Sequence, residues 1–514
     1  GISQEGLAIV KGTEYTGRII LAGDTLTGPI IVRIVPDRDD AINIGVGKIS
    51  PELKTYPLVF TASESSDNAR IEIVGKGKGT FRIGTLSLMP ADNIKGWRPD
   101  VVVLLKELDS PIYRWPGGNF VSGYNWRDGI GERDKRPPRK NPAWKGIEHD
   151  DVGIHEFMEL MEIIGSEPYV ALNTGKGTME EATAEVEYFN GSTNMPMGKL
   201  RAENGHPEPW NVKWWAVGNE MYGNWQIGHM PLAEYVKKHN QIAEAIWKID
   251  PNAKLVGVGS VGKWSETMLK VSSGYMNLLS EHIYCKEIKS DVTKHTRQLA
   301  NEIKRVADAH RKYRRDINEI AGKDIRIAMD EWNYWYGNYI YGELGTQYFL
   351  KDALGVANGL HEYFRNSDIY YMANYAQTVN VIGAIKTSRT ASILDTTGVV
   401  LKLYRQRFGE IPLEVRSDNT TPLDIAAALK SDRKAITIAI VNPTDKPREL
   451  STELKGIKTA DKGKLWTITG TDPLAHNVPG KEPMVTIEEK TIDNSSKKLN
   501  SPALSICIYE FAVE

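Results

Sequence analysis

Trp214-Trp215-Ala216-Val217-Gly218-Asn219-Glu220 is a short apolar run that stops on an amide and a carboxylate. Apolar residues with no polar face, ended by a glycine, are the pattern of a parallel strand buried on both sides. In α/β barrels, chemistry collects where such strands end and the next loop begins. Downstream, Ile325-Arg326-Ile327-Ala328-Met329-Asp330-Glu331-Trp332-Asn333 repeats the theme. Two strands that each end on a glutamate predict a carboxylate pair, Glu220 and Glu331, across one pocket.

Around these two stretches, residues 96–400 alternate strand-like and helix-like segments, the mark of βαβ units. The expected strands are Ile112 to Gly118, Tyr169 to Asn173, Trp214 to Glu220, Lys254 to Val258, Leu278 to Tyr284, the run ending on Glu331, and Ile369 to Tyr375. Helices are expected over 152–164, 180–189, 232–249, 294–320 and 346–364. That makes seven strands, one fewer than a closed (β/α)8 barrel requires. Residues 1–95 read instead as short strands (18–22, 30–35, 69–74, 80–88) separated by Gly, Asp, Pro and Ser clusters, a sandwich-like module whose role is either carbohydrate binding or packing. Residues 401–514 return to β texture at 435–442, 465–469, 484–488 and 503–511, which predicts a C-terminal β-sandwich.

Composition narrows the function classes. The 514 residues carry 64 Lys and Arg against 66 Asp and Glu, a net charge of −2. Near-neutrality gives no reason to expect a nucleic acid or an anionic membrane as partner, and no run of 18 apolar residues suggests a span. Cys285 and Cys507 form no metal-ligand spacing and no disulfide framework. Gly175-Lys176-Gly177-Thr178 lacks phosphate-loop spacing, so neither metal nor cofactor is expected. Asn-x-Ser/Thr triplets at Asn190, Asn419 and Asn494 are what chance supplies, and the compartment, cytoplasmic or secreted, stays open. Thirteen Trp and 22 Tyr against nine Phe suit stacking on sugar faces, although core filling uses the same residues.

Paired carboxylates are the machinery of glycoside hydrolysis, one protonated to release the leaving group and one ionised. Strand-end glutamates also cap helices and form salt bridges. Here both lie in aromatic settings, Trp214, Trp215, Tyr222 and Trp225 around one and Trp332, Tyr334 and Trp335 around the other, which favours the sugar reading. Burial and a nearby ionised Glu331 would then raise the pKa of Glu220.

At this point a resemblance becomes specific. Gly117-Gly118-Asn119-Phe120-Val121-Ser122-Gly123-Tyr124-Asn125-Trp126, Trp215 to Met221 with Trp225-Gln226-Ile227-Gly228-His229, and Asp330 to Trp335 are similar to motifs of the α-L-arabinofuranosidases of glycoside hydrolase family 51. The likeness runs from about residue 85 to the C-terminus. It implies a retaining exo-glycosidase that releases terminal arabinofuranose from arabinoxylan, arabinan or arabino-oligosaccharides. Glu220 takes the acid/base place and Glu331 the nucleophile place. Asn119, Asn219 and Gln377 would bond the sugar, Trp144, Trp225 and Trp335 would wall the pocket, Tyr284 would position the nucleophile, and His282 would help set protonation. Alternatives are an endo-glucanase or xylosidase of the same family, and a non-catalytic sugar-binding relative. Relatives with a β module here place it after the first barrel strand, so the eighth strand is expected to be lost, swapped, or supplied by a separate N-terminal fragment. A homo-oligomer is expected.

Overall fold

The computed structural model describes residues 1–36, 41–417, 421–493 and 496–514. Asn419 and Asn494 therefore lie outside the described residues, and Asn190 is engaged, its side-chain nitrogen donating to Val212 O and Asp250 Oδ2. The chain forms two compact units, residues 1–104 with 387–393, and residues 105–386 with 394–514.

Among its described residues the first unit holds seven antiparallel strands: β1 (Ile2–Ile9), β2 (Glu14–Gly23), β3 (Ile30–Val35), β4 (Ile42–Val46), β5 (Lys54–Thr61), β6 (Ser66–Gly75) and β7 (Phe81–Pro90). They pair as two sheets, β1-β6-β3-β4 and β5-β2-β7. Alternation along β2 and β3 turns Ile19, Leu21, Ile30, Val32 and Ile34 into one shared core, as a two-sheet packing requires. The β1 strand, Gly- and Glu-interrupted, was not legible from periodicity.

The second unit is built on seven parallel strands in sequential order, β8 (Ile112–Trp115), β9 (Glu167–Ala171), β10 (Trp214–Ala216), β11 (Lys254–Gly257), β12 (Leu278–Cys285), β13 (Arg326–Tyr334) and β14 (Tyr370–Tyr375). Together they make a nearly closed barrel with seven strands among the described residues, the expected count. The opening stretch shows why no polar face was visible. Trp214 and Ala216 point into the barrel beside Tyr169, Ala171, Val256, Leu278 and Ala328. Trp215 and Val217 point outward, against Phe157, Phe189, Ile242 and Ala243 of the surrounding helices. Both faces are buried, so both must be apolar.

Helices Ile154–Ile164, Met179–Asn190, Leu232–Ile249, Val292–Asp316 and Leu350–Arg365 cover the barrel. The longest buries Leu299, Ile303, Val306 and His310 at helical spacing and starts where Asp291 accepts from Lys294 N at 2.9 Å, a side-chain cap on an otherwise unsatisfied donor. Helices Pro99–Leu108, Pro196–Glu203, Lys263–Val271 and Thr396–Arg407 had not been expected. The second and third are short, with Gly198 or Lys263 at their openings, and give periodicity little length to register.

Several boundaries differ from expectation: the helix expected from 346 starts at Leu350, the strand expected to reach Gly118 ends at Trp115, and the strand expected from 465 starts at Thr459. The β10 strand ends at Ala216 rather than Glu220, because Gly218 (φ +107°) and Glu220 (φ 42°) turn the chain out of the sheet. The β13 strand continues past Glu331 to Tyr334. The helix expected over 294–320 ends at Asp316, followed by a short turn at Asn318–Ile320. The strand expected at 484–488 begins only at Glu488, since Val485 spends both backbone groups on the Asn477 side chain, at 2.9 Å each. The C-terminal strands form a six-stranded antiparallel sheet ordered 411–413, 424–429, 435–442, 505–513, 459–469, 488–492, with a two-stranded ribbon of 448–451 and 498–501.

Gly218 carries a measurable consequence. A Cβ there would meet Thr174 Oγ1 at 2.0 Å, at a φ that side chains rarely adopt. Gly218→Ala is expected to cost about 1–3 kcal/mol and to lower kcat by moving Glu220, measured as a lower Tm together with slower turnover.

Candidate active site

A cleft of about 1680 Å³ runs along the β8 and β14 side of the barrel, from strand starts such as Ile112, Glu167 and Tyr371 to the loop ends that carry Arg114, Asn119, Trp144, Asn219, Glu220, Trp225, Tyr284, Glu331, Trp335 and Gln377. The second group gathers toward the C-terminal ends of the parallel strands, where barrel sites are built.

The two glutamates meet there. One carboxylate oxygen of Glu220 and one of Glu331 lie within 4.8 Å of each other, with a ring nitrogen of His282 inside the same limit. Each oxygen of Glu331 accepts a hydrogen bond, Oε1 from Arg114 Nη1 at 2.9 Å and Oε2 from Tyr284 Oη at 2.7 Å. Glu220 Oε1 lies 2.8 Å from His282 Nδ1, and its Oε2 accepts from Trp225 Nε1. The strained left-handed backbone at Glu220 is the kind of cost that a fold carries at a functional position.

Strand register explains how these side chains converge. Period-two alternation along β12 aims Ser280, His282 and Tyr284 inward and leaves Glu281 to an outer network, where it accepts from Ser265 and meets His310 at 2.8 Å. Alternation would separate Asp330 from Glu331 in the same way. Instead β13 carries one extra residue: Ser280 and His282 oppose Ala328 and Glu331, and Met329 and Trp332 oppose Ala373 and Tyr375. A β-bulge of this kind re-aims a side chain. It brings Asp330 and Glu331 onto the same side, with Asp330 Oδ1 2.9 Å from His282 Nε2.

Asn219 is fixed at both ends of its amide, Oδ1 accepting from Arg114 Nη2 at 2.6 Å and Nδ2 donating to Gln226 Oε1 at 3.0 Å. Gln226 in turn donates to the buried Ser122 Oγ at 2.7 Å. The Asn119 side chain braces the same loop, donating to Trp225 O at 3.0 Å and accepting from Ile227 N at 2.8 Å. Trp225 is 60% exposed and stands edge-on to Tyr222. Trp335 leans on Tyr284, and its Nε1 is buried without a hydrogen-bond partner. Trp144 and Gln377 line the cleft. Arg114 and Asp330 are the site residues that sequence reasoning left out. Arg114 stood in view, at an inward position just before Gly117-Gly118, as a lone cation in an apolar strand.

The charge state differs from expectation. Burial pushes the Glu220 carboxyl up, but the hydrogen bond and charge of His282, with help from Trp225 and Arg114, bring it below its usual range. His282 moves the opposite way. Burial disfavours its charge, yet the carboxylates of Glu331 and Asp330 and the bonds to Asp330 and Glu220 raise it well above an ordinary imidazole. Both directions run against the expectation of a raised Glu220, and the 2.8 Å contact between the two side chains is a cause of each.

Comparison with known proteins places this geometry among relatives. The family profile described as "Alpha-L-arabinofuranosidase 1 domain" matches residues 104–305, and that described as "Alpha-L-arabinofuranosidase C-terminal domain" matches 330–505. A probable α-L-arabinofuranosidase C of Aspergillus clavatus is 35% identical over 79% of this chain and 86% of its own. An intracellular exo-α-L-arabinofuranosidase of Bacteroides ovatus is 32% identical over 84% of this chain and 89% of its own. The crystal structure of the Thermotoga maritima α-L-arabinofuranosidase in complex with arabinose is alike over 81% of this chain and 90% of its own, with 32% identity and a TM-score of 0.75.

Proposed function

The chain belongs to the α-L-arabinofuranosidases of glycoside hydrolase family 51, and on that premise we propose that it is a retaining exo-glycosidase releasing terminal α-L-arabinofuranosyl residues from arabinoxylan, arabinan or arabino-oligosaccharides. The observation that carries this reading is the carboxylate pair, one oxygen of Glu220 and one of Glu331 within 4.8 Å. That limit is short of the roughly 6.5–9.5 Å that an inverting pair keeps open for a water, which supports direct attack and retention.

Glu331, oriented by Arg114 and Tyr284, attacks the anomeric carbon while the leaving oxygen takes a proton from Glu220. His282 Nδ1, 2.8 Å from Glu220 Oε1, returns that proton to the carboxyl as the sugar enters and desolvates the pair. Water then attacks the glycosyl–Glu331 ester, its proton passing back to Glu220, and arabinose leaves. Asn219 faces the sugar hydroxyl next to the reacting carbon, and the Trp335 ring, packed on Tyr284, walls the pocket. Trp144 and Trp225 frame the entrance, and Gln377 binds from the β14 side.

The test is the anomeric outcome. Proton NMR during hydrolysis of an aryl α-L-arabinofuranoside is expected to show α-arabinose first, mutarotating later. Initial β-product would overturn the double displacement, and cleavage of a β-glucan without arabinoside hydrolysis would overturn the substrate class.

A further inference from the structure

His282 stands between two carboxylates, and the double displacement uses only Glu220. Asp330, on its other side, has a side chain 2% exposed. Its Oδ1 is 2.9 Å from His282 Nε2, its Oδ2 accepts from Tyr169 Oη at 2.9 Å, and Arg114 Nε lies 3.4 Å from Oδ2. We propose that Asp330 is a positioning residue that locks the proton on His282 Nε2, so that His282 and Glu220 keep one shared proton ready for the leaving group into the alkaline range. The proposal rests on the acid/base reading of Glu220.

The argument is one of donors and acceptors. An ionised carboxylate only accepts, so Nε2 must carry hydrogen wherever Asp330 is charged. With Glu220 ionised, Nδ1 must also carry hydrogen, and the ring is imidazolium. With Glu220 protonated, Nδ1 accepts and the ring is neutral, with its hydrogen still on Nε2. The shared proton can therefore cross between Nδ1 and Glu220 Oε1 without a tautomer change or a ring flip. When the proton leaves with the aglycone oxygen, the pair is left as carboxylate and neutral imidazole, and the hydrolytic water restores it in the second step.

The groups around the ring fit this role. Glu331 Oε2 lies 3.5 Å from Nδ1, on the side of Glu220 rather than of Nε2. Tyr284 is committed to Glu331, Arg114 is divided among Glu331, Asn219 and Asp330, and Tyr222 lies beyond Glu220. That leaves Asp330 as the partner of Nε2 among the described residues. Burial raises the Asp330 carboxyl, but the charges of Arg114 and His282 and the Tyr169 bond bring it lower, which keeps it the acceptor. The β13 bulge places Asp330 here, immediately before the proposed nucleophile, where plain alternation would turn it outward.

The sign of the pH effect follows. A histidine raised by its partners keeps its proton until the pH climbs through that raised value, so removing a partner's charge releases the proton at lower pH. In Asp330→Asn the alkaline limb of kcat/KM on phenyl α-L-arabinofuranoside is expected to fall by one unit or more, about a tenfold loss per unit, with little change on the acid side. On the 2,4-dinitrophenyl substrate, whose departure needs no acid, the shift is expected to vanish. An unmoved limb, or an equal loss at every pH, overturns the proposal. Nitrogen-15 NMR of histidine-labelled wild-type protein decides the question independently of catalysis and of the variant's folding. His282 with hydrogen on Nε2 at pH 7, whether or not Nδ1 also carries one, supports the proposal, and a neutral ring with its hydrogen on Nδ1 overturns it. Absence of arabinoside hydrolysis by the wild type would count against the proposed function, while the NMR result would still stand for or against Asp330.

Discussion

Glu331→Ala is expected to abolish turnover, with kcat falling on the order of 10⁵-fold or more, the scale set by removing a covalent nucleophile. Arg114 Nη1 and Tyr284 Oη would lose their acceptor, and no other carboxylate replaces it: Asp330 is held by His282 and Tyr169, and Glu220 sits on the leaving-group side. The vacated space suits a small anion. Azide should restore activity on an activated aryl arabinofuranoside and give an arabinosyl azide of inverted configuration, identified by NMR. Residual activity within a hundredfold of wild type, or a retained azide product, would remove Glu331 from the nucleophile place.

Glu220→Ala should behave differently, because a proton donor matters in proportion to the basicity of the leaving group. On arabino-oligosaccharides and phenyl arabinofuranoside a loss of about 10²–10⁴-fold is expected, the usual contribution of general acid catalysis. On the 2,4-dinitrophenyl substrate the first step should survive and the second, which needs a base, should limit the rate. The glycosyl-enzyme would then accumulate, visible as a burst and as a mass increase on the protein. Azide, which needs no base, should relieve the block and give a product of retained configuration. Equal loss on activated and natural substrates would sink the acid/base assignment. The same variant removes the partner of His282 Nδ1 and of Trp225 Nε1. The loop from Met221 to His229 then loses one of its side-chain ties and keeps those of Asn119 and Gln226, so circular dichroism and Tm should accompany the kinetics.

The N-terminal unit is Gly1–Leu104 with Thr387–Ile393. Its two sheets bury an aliphatic core with Tyr15 stacked on Phe60 inside it, so those aromatic rings are spent on packing rather than presented to a sugar.

Much of this was legible in the sequence because it depends on local patterns. Apolar runs as short as Trp214 to Val217 mean strands buried on both faces, and helical spacing from Leu232 to Ile249 gave that helix to the residue. The His282-x-Tyr284 pair could be read as sharing one face because plain alternation holds along β12. Legibility failed where the backbone leaves its regular course. Nothing in the composition of Gly218-Asn219-Glu220 says that the strand has already stopped at Ala216 and that Glu220 takes a left-handed conformation. The expected direction of the Glu220 proton also failed, since it weighed burial and Glu331 without the imidazole that tertiary structure sets 2.8 Å away.

The sequence by itself determined the parallel strands, the pair of glutamates carried by two of these stretches and the family's motifs, all of which follow from residue type and spacing. Only the tertiary structure decided which charges share a boundary. The extra residue in β13 turns Asp330 to the same side as Glu331, and β8 delivers Arg114 to Glu331 and Asn219 from more than a hundred residues away. The reason is physical. Periodicity describes where a side chain points relative to its own strand, whereas the proton in this site is placed by the summed fields of four strands, and those meet only when the sheet is curved.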